Sequence, residues 1–294
     1  MLIDIHVHVT PSSTVTRADG TTYCTPEELL AKLDKAGIEK AVLLPMVTPE
    51  CNHRHVSNED VLDIAARYRE RFIPFCNLDP RQIGNSPDTD FIPHLEHYKA
   101  AGCKGLGEIT ANLAFDDPLV ENLLQQCEAI GMPILFHIGP QFGGCYGLVD
   151  DLGLPKLEGI LQKFPKLTVI GHSQPFWSEI GSEVTVETRG GYPKGKVVSG
   201  KVPELLRKYP NMYGDMSAGS GFNAVSRDPE FGYTFMEEFQ DKLLFGTDIC
   251  APHNETPLVG FLEAAVEEGN VSSAAYEKIT WGNANRILGL GLGD

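Results

Sequence analysis

Positive charge and long apolar runs are both scarce in this sequence. Its 294 residues carry 24 lysines and arginines against 40 aspartates and glutamates, for a formal net charge of −16 at pH 7. A nucleic-acid backbone or an anionic membrane surface requires a cationic face on its partner, so we expect neither as the main partner. No apolar run is long enough to span a bilayer, so no membrane segment is predicted.

Cysteine pairs at metal-binding spacing are missing as well. The seven cysteines are odd in number and never occur as C-x-x-C, which argues against a disulfide framework and a thiolate zinc site. Met1 leads directly into the first predicted strand, without the charged and apolar segments of a signal peptide. We therefore expect a soluble cytoplasmic protein with reduced thiols.

What the sequence does contain is a regular alternation of short apolar segments and amphipathic helical ones. Eight segments rich in Val, Ile, Leu and Phe are typical of parallel strands buried on both faces, and a helical pattern follows each. This alternation predicts a single (β/α)₈ TIM-type barrel over residues 1–294, with a doubly wound open sheet as the alternative. The predicted strands cover residues 2–9, 40–47, 72–78, 103–109, 133–139, 167–173, 212–217 and 242–248.

One connection, residues 173–200, is too long for an ordinary link between a strand and a helix. Loops of that size are uncommon in compact domains unless they serve a function, often as a lid over an active site. We expect this insertion after the sixth strand to be either a lid over the barrel mouth or the contact surface of a homodimer.

The first predicted strand, LIDIHVHV, carries polar side chains where a buried strand usually carries Val or Ile. Strict alternation would place Asp4, His6 and His8 on one face of this strand. Other predicted strands also end in residues that bind Zn²⁺, Mn²⁺ or Fe²⁺ well, and active sites of parallel barrels lie at those ends. The metal-competent residues at the strand ends are His6, His8, Glu108, His137, His172, Asp215 and Asp248.

The order of these motifs resembles the amidohydrolase superfamily. Within it, the chain is most similar to the amidohydrolase-related branch that includes the aminocarboxymuconate-semialdehyde decarboxylase group. The resemblance extends over nearly the whole chain, through DIHVH, ILFHIG, VIGHS, KYPNMYGDMS, LLFGTD and GNANRILGL. It implies a (β/α)₈ barrel and an enzyme that depends on a divalent metal, with zinc expected first and manganese or iron as alternatives.

The resemblance also implies roles for individual residues. His6, His8, His137 and Asp248 would bind the metal, and Asp248 would act as general base. His172 would be either a ligand of a second metal ion or a neutral electrophile that polarises the substrate carbonyl. Both roles use a neutral imidazole, so one ion and two ions both remain open.

The fourth strand is ambiguous, because members of the superfamily differ there. Some carry a carboxylated lysine that bridges two metals, others a glutamate, and many mononuclear members neither. In CKGLGEI, Glu108 lies at the predicted strand end and Lys104 near its start. We therefore expect Glu108 in the site, and leave open whether it bridges two ions.

Two reactions are compatible with this resemblance. The first, which the extra carboxylate of Glu108 favours, is hydrolysis of a small amide, lactone or ester by metal-activated water. The alternative is non-oxidative decarboxylation of an aromatic or enoic acid. A non-catalytic metal-binding barrel is a third interpretation, although a structural zinc site is usually closed by four ligands.

The substrate is expected to be a small molecule that carries a carboxylate. An arginine such as Arg54 or Arg227 would bind that group. Loop residues that follow strands often bind substrate, so His55 and His253 are further weak candidates.

Overall fold

The computed structural model describes residues 1–12, 15–17, 20–50 and 53–293, and Cys51 lies outside these ranges. The strand segments are shorter than the apolar runs that predict them. The strands are β1 (Ile3–Val7), β2 (Lys40–Leu43), β3 (Phe72–Pro74), β4 (Leu106–Ile109), β5 (Ile134–Gly139), β6 (Leu148–Val149), β7 (Val169–His172), β8 (Met212–Asp215) and β9 (Leu243–Leu244).

The strands pair in parallel and close into a barrel, which confirms the predicted (β/α)₈ fold. One sheet has the order β1-β2-β3 and the other the order β4-β5-β7-β8-β9. Parallel bridges from Cys76 to Leu106 and from Val7 to Ile249 join the two sheets at both seams. The short strand β6 lies outside this ring and pairs with β5.

Helices follow the strands, and their boundaries are set by local capping. Thr25 and Ser57 each accept a hydrogen bond from the third helical residue and complete a capping box with Glu28 and Asp60. The helices are α1 (Pro26–Lys35), α2 (Asn58–Arg67), α3 (Ile92–Ala100), α4 (Pro118–Ile130), α5 (Pro155–Lys163), α6 (Gln174–Ser178), α7 (Lys201–Lys208), α8 (Ala218–Ser226), α9 (Pro229–Glu238), α10 (Pro257–Glu267), α11 (Ser273–Glu277), a π-helical segment (Lys278–Gly282) and α12 (Asn283–Leu288). Within the described ranges, no helix is long and apolar enough to cross a membrane.

Two apolar clusters build the core. The larger cluster fills the space between the barrel and the surrounding helices. The smaller one, called the inner cluster below, lies inside the barrel and extends to Ala284 and Leu288 of α12. Such a packed interior leaves only one end of a barrel free for a site. The inner cluster consists of Ile3, Ile5, Val42, Leu44, Ile73, Phe75, Leu135, Ile170, Leu244, Ala284 and Leu288.

The expectation that Asp4 shares a face with His6 and His8 is wrong. The register of β1 against β2 shifts between Asp4 and Val7, so strict alternation does not continue along the strand. Ile3 and Ile5, on either side of Asp4, belong to the inner cluster. The Asp4 carboxylate instead accepts hydrogen bonds from Thr247 and from the backbone N–H of His6, and therefore supports the strand end.

The insertion at residues 173–200 is anchored by buried polar contacts. Arg189 is buried, donates to the carbonyl of Asp150 at 2.8 Å, and lies 3.1 Å from the carboxylate of Glu179. The hydroxyl of Ser178 donates to the Arg189 carbonyl at 2.8 Å. These contacts fix the base of the insertion to the barrel, while its roles as a lid or a dimer contact stay predictions.

Candidate active site

All six residues predicted as metal ligands lie together at the barrel mouth. Parallel strands in a barrel end at the same face, so residues far apart in sequence meet there. The backbone N–H of Asp248 donates to the His6 carbonyl at 2.8 Å and ties the last strand end to the first. The six residues are His6 in β1, His8 after β1, Glu108 in β4, His137 in β5, His172 in β7 and Asp248 after β9.

Donor atoms of four of these side chains lie close together. His6 Nε2 lies 3.0 Å from His8 Nε2, and Asp248 Oδ1 lies 3.5 Å from His6 Nε2 and 3.8 Å from His8 Nε2. Glu108 Oε2 lies 3.5 Å from His8 Nε2 and 3.7 Å from His6 Nε2. A tetrahedral zinc site with bonds of about 2.0–2.1 Å has ligand atoms about 3.3–3.4 Å apart. The spacing and chemistry of this donor set therefore fit a divalent cation.

The second oxygen of Glu108 faces a different pair of histidines. Glu108 Oε1 lies 2.8 Å from His137 Nδ1 and 4.0 Å from His172 Nε2. The ligand atoms of Glu108, His137 and His172 all lie within 4.8 Å of one another, as do those of His6, His8 and Asp248. Glu108 thus stands between two candidate donor groups, and the geometry accommodates one ion or two.

Burial and mutual contact shift the pKa values of this cluster. Burial alone would lower the pKa of His6, but Asp248, Asp215 and Glu108 raise it well above its usual range. Burial would raise the pKa of Glu108, but His6 and His137 hold it well below its usual range. Burial lowers the pKa of His137 despite the neighbouring Glu108. Carboxylates that stay ionised among imidazoles attract a cation. Binding of a metal cation would release a proton from His6.

Backbone and side-chain acceptors hold the outer nitrogens of three imidazoles. His8 Nδ1 donates to the Leu44 carbonyl at 3.1 Å. His6 Nδ1 lies 2.7 Å from Asp215 Oδ2, and His172 Nδ1 lies 3.0 Å from Ser217 Oγ. Burial would raise the pKa of Asp215, but His6 and His172 hold it well below its usual range. Acceptors behind a ligand histidine fix its orientation, which is a recurrent feature of metal sites.

A cavity of about 300 Å³ opens directly above the cluster. This size lies at the lower end of small-molecule pockets. Arg17 is the one lysine or arginine among the described residues that line it. Its guanidinium donates to Cys250 Sγ at 2.9 Å and lies 5.3 Å from the centre of the Tyr23 ring. The lining residues are His8, Arg17, Tyr23, Pro45, Met46, His53, Glu108, Thr110, His137, Tyr146, Asp248 and Cys250.

The weaker substrate predictions lie outside this lining. Arg54 donates to the Ser12 carbonyl at 2.9 Å, and neither it nor His55 is among the lining residues. His253 lines a separate surface depression with Lys32.

Arg227, the other arginine suggested for the substrate carboxylate, lies 2.5 Å from Glu183 and is also outside the lining. None of the described lining residues comes from the insertion at 173–200. The structure therefore gives no support to these residues as substrate ligands.

Sequence reasoning missed several residues that line the cavity, among them Arg17 and Tyr146. Arg17 lies in the connection after β1, next to an antiparallel bridge between Thr16 and Thr22. Tyr146 follows β5, and its ring centre lies 4.5 Å from that of His137. Their position in connections after strands was the available signal, because such connections form the mouth of a barrel.

Comparison with known proteins identifies a family and several solved structures with a similar fold. A family model described as Amidohydrolase matches residues 3–290. No curated protein matches the chain. The chain is similar in structure to an uncharacterized TIM-barrel protein from Bordetella bronchiseptica, with 18% identity, a TM-score of 0.66 and coverage of 98% of each chain.

Two further similar structures carry names that describe a reaction. One is a dihydroxybenzoic acid decarboxylase from a Polaromonas species with bound manganese and the inhibitor 2-nitroresorcinol. It shares 16% identity over 98% of this chain and 97% of that chain, with a TM-score of 0.62. The other is a probable 2-pyrone-4,6-dicarboxylic acid hydrolase from Acinetobacter baumannii with bound citric acid. It shares 15% identity over 98% and 99%, with a TM-score of 0.60. At these identities the likeness shows the fold alone.

Proposed function

The chain belongs to the amidohydrolase family, and on this premise we propose that it is a metal-dependent, non-oxidative decarboxylase of a small aromatic or enoic acid. The observation that carries the proposal is the position of Asp248. Its side chain is 28% exposed, whereas those of the other five cluster residues are at most 10% exposed. Asp248 is therefore the cluster carboxyl group best placed to reach a substrate in the cavity.

We propose that His6, His8, Glu108 and Asp248 hold the metal, with His137 and His172 on the side of Glu108 Oε1. Zinc suits this set of imidazole and carboxylate donors, and manganese and iron are the alternatives. A bound divalent cation would hold oxygen atoms of the substrate and stabilise the negative charge that develops on the substrate as CO₂ leaves. Manganese in the similar dihydroxybenzoic acid decarboxylase supports including that metal in the test.

The reaction needs a proton at the carbon atom that loses CO₂. In the proposed step the bond between that carbon and the carboxylate breaks, its electron pair stays on the carbon, and CO₂ leaves. Asp248 takes up a proton from solvent, delivers it to this carbon, and so returns to the ionised form in which it would hold the metal. Arg17 supplies positive charge among the lining residues, which attracts an acidic substrate past Glu108 and Asp248.

The decisive experiment is turnover in D₂O. Metal-loaded protein would be incubated with a panel of dihydroxybenzoates and enoic acids, and both CO₂ release and the deuterium content of the product would be measured. We expect one deuterium at the carbon that carried the carboxylate. Hydrolysis of lactones or amides without CO₂ release would overturn the proposal.

Hydrolysis is the second candidate, and the placement of Glu108 favours it. A carboxylate whose two oxygens face two donor groups suits a site that activates water, with Asp248 as the base. The similar probable 2-pyrone-4,6-dicarboxylic acid hydrolase makes a pyrone lactone the first ester to test. Stoichiometric metal in a protein inert toward all these substrates would favour the non-catalytic barrel instead.

A further inference from the structure

One fully buried carboxylate contacts two imidazoles of the cluster from behind. Asp215, at the end of β8, places Oδ2 2.7 Å from His6 Nδ1 and 3.3 Å from His172 Nδ1. Ser217 stands beside it, with Oγ 2.9 Å from the same Oδ2 and 3.0 Å from His172 Nδ1. The backbone N–H of Ser217 donates to Asp215 Oδ1 at 2.9 Å. Asp215 and Ser217 are called the fork below.

Donor and acceptor chemistry assigns the protons in this fork. An ionised carboxylate only accepts hydrogen bonds, so His6 Nδ1 must donate to Asp215. A serine hydroxyl has one hydrogen, and Ser217 directs it at Asp215, so its oxygen accepts from His172 Nδ1. Both histidines therefore carry a proton on Nδ1, and Nε2 is the nitrogen left to face the cluster.

Asp215 joins the two histidines in one candidate donor group, and each histidine also belongs to a second group that the other does not share. His6 groups with His8 and Asp248, whereas His172 groups with Glu108 and His137. We propose that Asp215, assisted by Ser217, is a positioning residue that directs Nε2 of both His6 and His172 toward the cluster. This inference rests on the proposed metal binding and not on which reaction follows.

Neighbouring residues restrict the position of the fork. A side chain at Gly246 would place its Cβ 2.8 Å from Asp215 Oδ1 and 2.8 Å from Ser217 Cβ, so this position requires a glycine. The indole N–H of Trp177 donates to the backbone carbonyl of Asp215 at 2.6 Å. The FGTD motif and the first helix of the insertion thus both fix where the Asp215 carboxylate lies.

Asp215→Asn tests the proposal, because it keeps the size of the side chain and removes the acceptor-only carboxylate. Metal-free protein would be titrated with Zn²⁺ against a chromogenic chelator. We expect an affinity about 10–100-fold weaker than in the wild type, the range found for partners of ligand histidines. Thermal unfolding of the metal-free variant would show that the fold is retained.

Asp4→Asn is the matched control. Asp4 is also fully buried, but it bonds Thr247 and the backbone of His6 and no imidazole. We expect its zinc affinity to stay near the wild-type value. Equal weakening in both variants, or unchanged affinity in Asp215→Asn, would overturn the positioning role. A wild-type protein that takes up no zinc would instead refute the proposed metal binding on which the role depends.

A spectroscopic signature separates positioning from general packing. Long-range ¹H–¹⁵N spectra of the zinc-loaded wild type should show protonated Nδ1 on both His6 and His172. Ser217→Ala should perturb the His172 signal more than that of His6, because Ser217 Oγ lies 3.0 Å from His172 Nδ1 and 3.3 Å from His6 Nδ1, which also keeps Asp215. Ser217→Thr, which keeps the hydroxyl, should restore the wild-type spectrum. An unprotonated Nδ1 on either histidine in the zinc-loaded wild type would refute the assignment.

Discussion

The inner cluster forms a lower layer of the barrel interior, and the six predicted metal ligands at the barrel mouth form an upper layer built from the same strands. Along β5, Leu135 lies in the inner cluster, and His137, two residues later, lies at the mouth. Along β7, Ile170 and His172 repeat this arrangement. All four side chains are buried, so along these two strands the layers differ in polarity and not in exposure to solvent.

The difference shows how stability and chemistry are separated along a strand. Apolar burial stabilises the lower layer by about 25 cal/mol for each Å² removed from water. Buried polar groups in the upper layer destabilise the fold unless each one has a partner. His6, His8 and His137 find theirs in Asp215, Leu44 and Glu108, which leaves cavity-facing atoms available to a metal and substrate.

Removing a histidine from the upper layer should have the largest effect on function. In His6→Ala or His137→Ala we expect metal content to fall below detection and turnover to disappear, because a donor or the partner of Glu108 is lost. Elemental analysis after dialysis measures the first quantity. His94→Ala, which removes an exposed histidine on α3, is the control and should bind metal normally. Unchanged metal content in both cluster variants would refute the donor assignment.

Asp248→Asn should lower turnover while the protein stays folded. The amide keeps an oxygen near His6 and His8 but does not transfer the proton that the proposed reaction needs. Loss of a general acid typically lowers kcat by about 10²–10⁴-fold. Steady-state kinetics at saturating metal measure this loss. A fully active variant would exclude an acid–base role for Asp248.

Leu135→Ala, a change in the lower layer, should lower stability and leave metal binding intact. Truncating a fully buried leucine leaves a cavity and should lower the free energy of unfolding by about 2–5 kcal/mol. Metal content per folded protein should remain unchanged, because the upper layer keeps its donors. Urea titration and elemental analysis measure the two quantities, and Leu135→Met should cost less than about 1.5 kcal/mol. Metal loss without a loss of stability would show that the two layers are not separable.

The fold and the meeting of the candidate donor residues at one end of the barrel could be predicted because both depend on local patterns. Alternating strand and helix patterns place strand ends at one face, and His6, His137, His172 and Asp248 stand at such ends. The orientation of Asp4 could not be predicted, because it depends on the register between β1 and β2. Dimer formation and cytoplasmic location stay predictions.

The cavity lining was harder to predict than the donor set. Arg17 was missed because its position depends on the bridge between Thr16 and Thr22 and on Cys250, a residue more than two hundred positions away. Arg227 was an attractive cation in the sequence, but in the fold it pairs with Glu183. Pairings between distant loops set the shape of a barrel mouth, and the periodic patterns that predict strands and helices do not predict such pairings.

The smallest predicted effect is on the pH dependence of stability, and it comes from Glu179 and Arg189, a buried polar pair outside both layers. Burial raises the pKa of Glu179 to about 7, although Arg189 beside it acts in the opposite direction. The folded protein therefore keeps a proton on Glu179 that the unfolded chain, with its usual value of 4.5, has lost. The free energy of unfolding should fall as pH rises from about 4.5 to about 7, by up to about 3 kcal/mol from this group.

Glu179→Gln should remove this contribution to the pH dependence, since glutamine does not titrate. Urea titrations of the wild type and the variant at several pH values from 5 to 8 measure the difference between their slopes. Glu187→Gln, an exposed change in the same insertion, should keep the wild-type slope. Equal slopes in wild type and Glu179→Gln would mean that Glu179 stays ionised beside Arg189 throughout. The insertion would then be held by a permanent ion pair, and buried polarity would be tolerated there through charge pairing, as it is around His6.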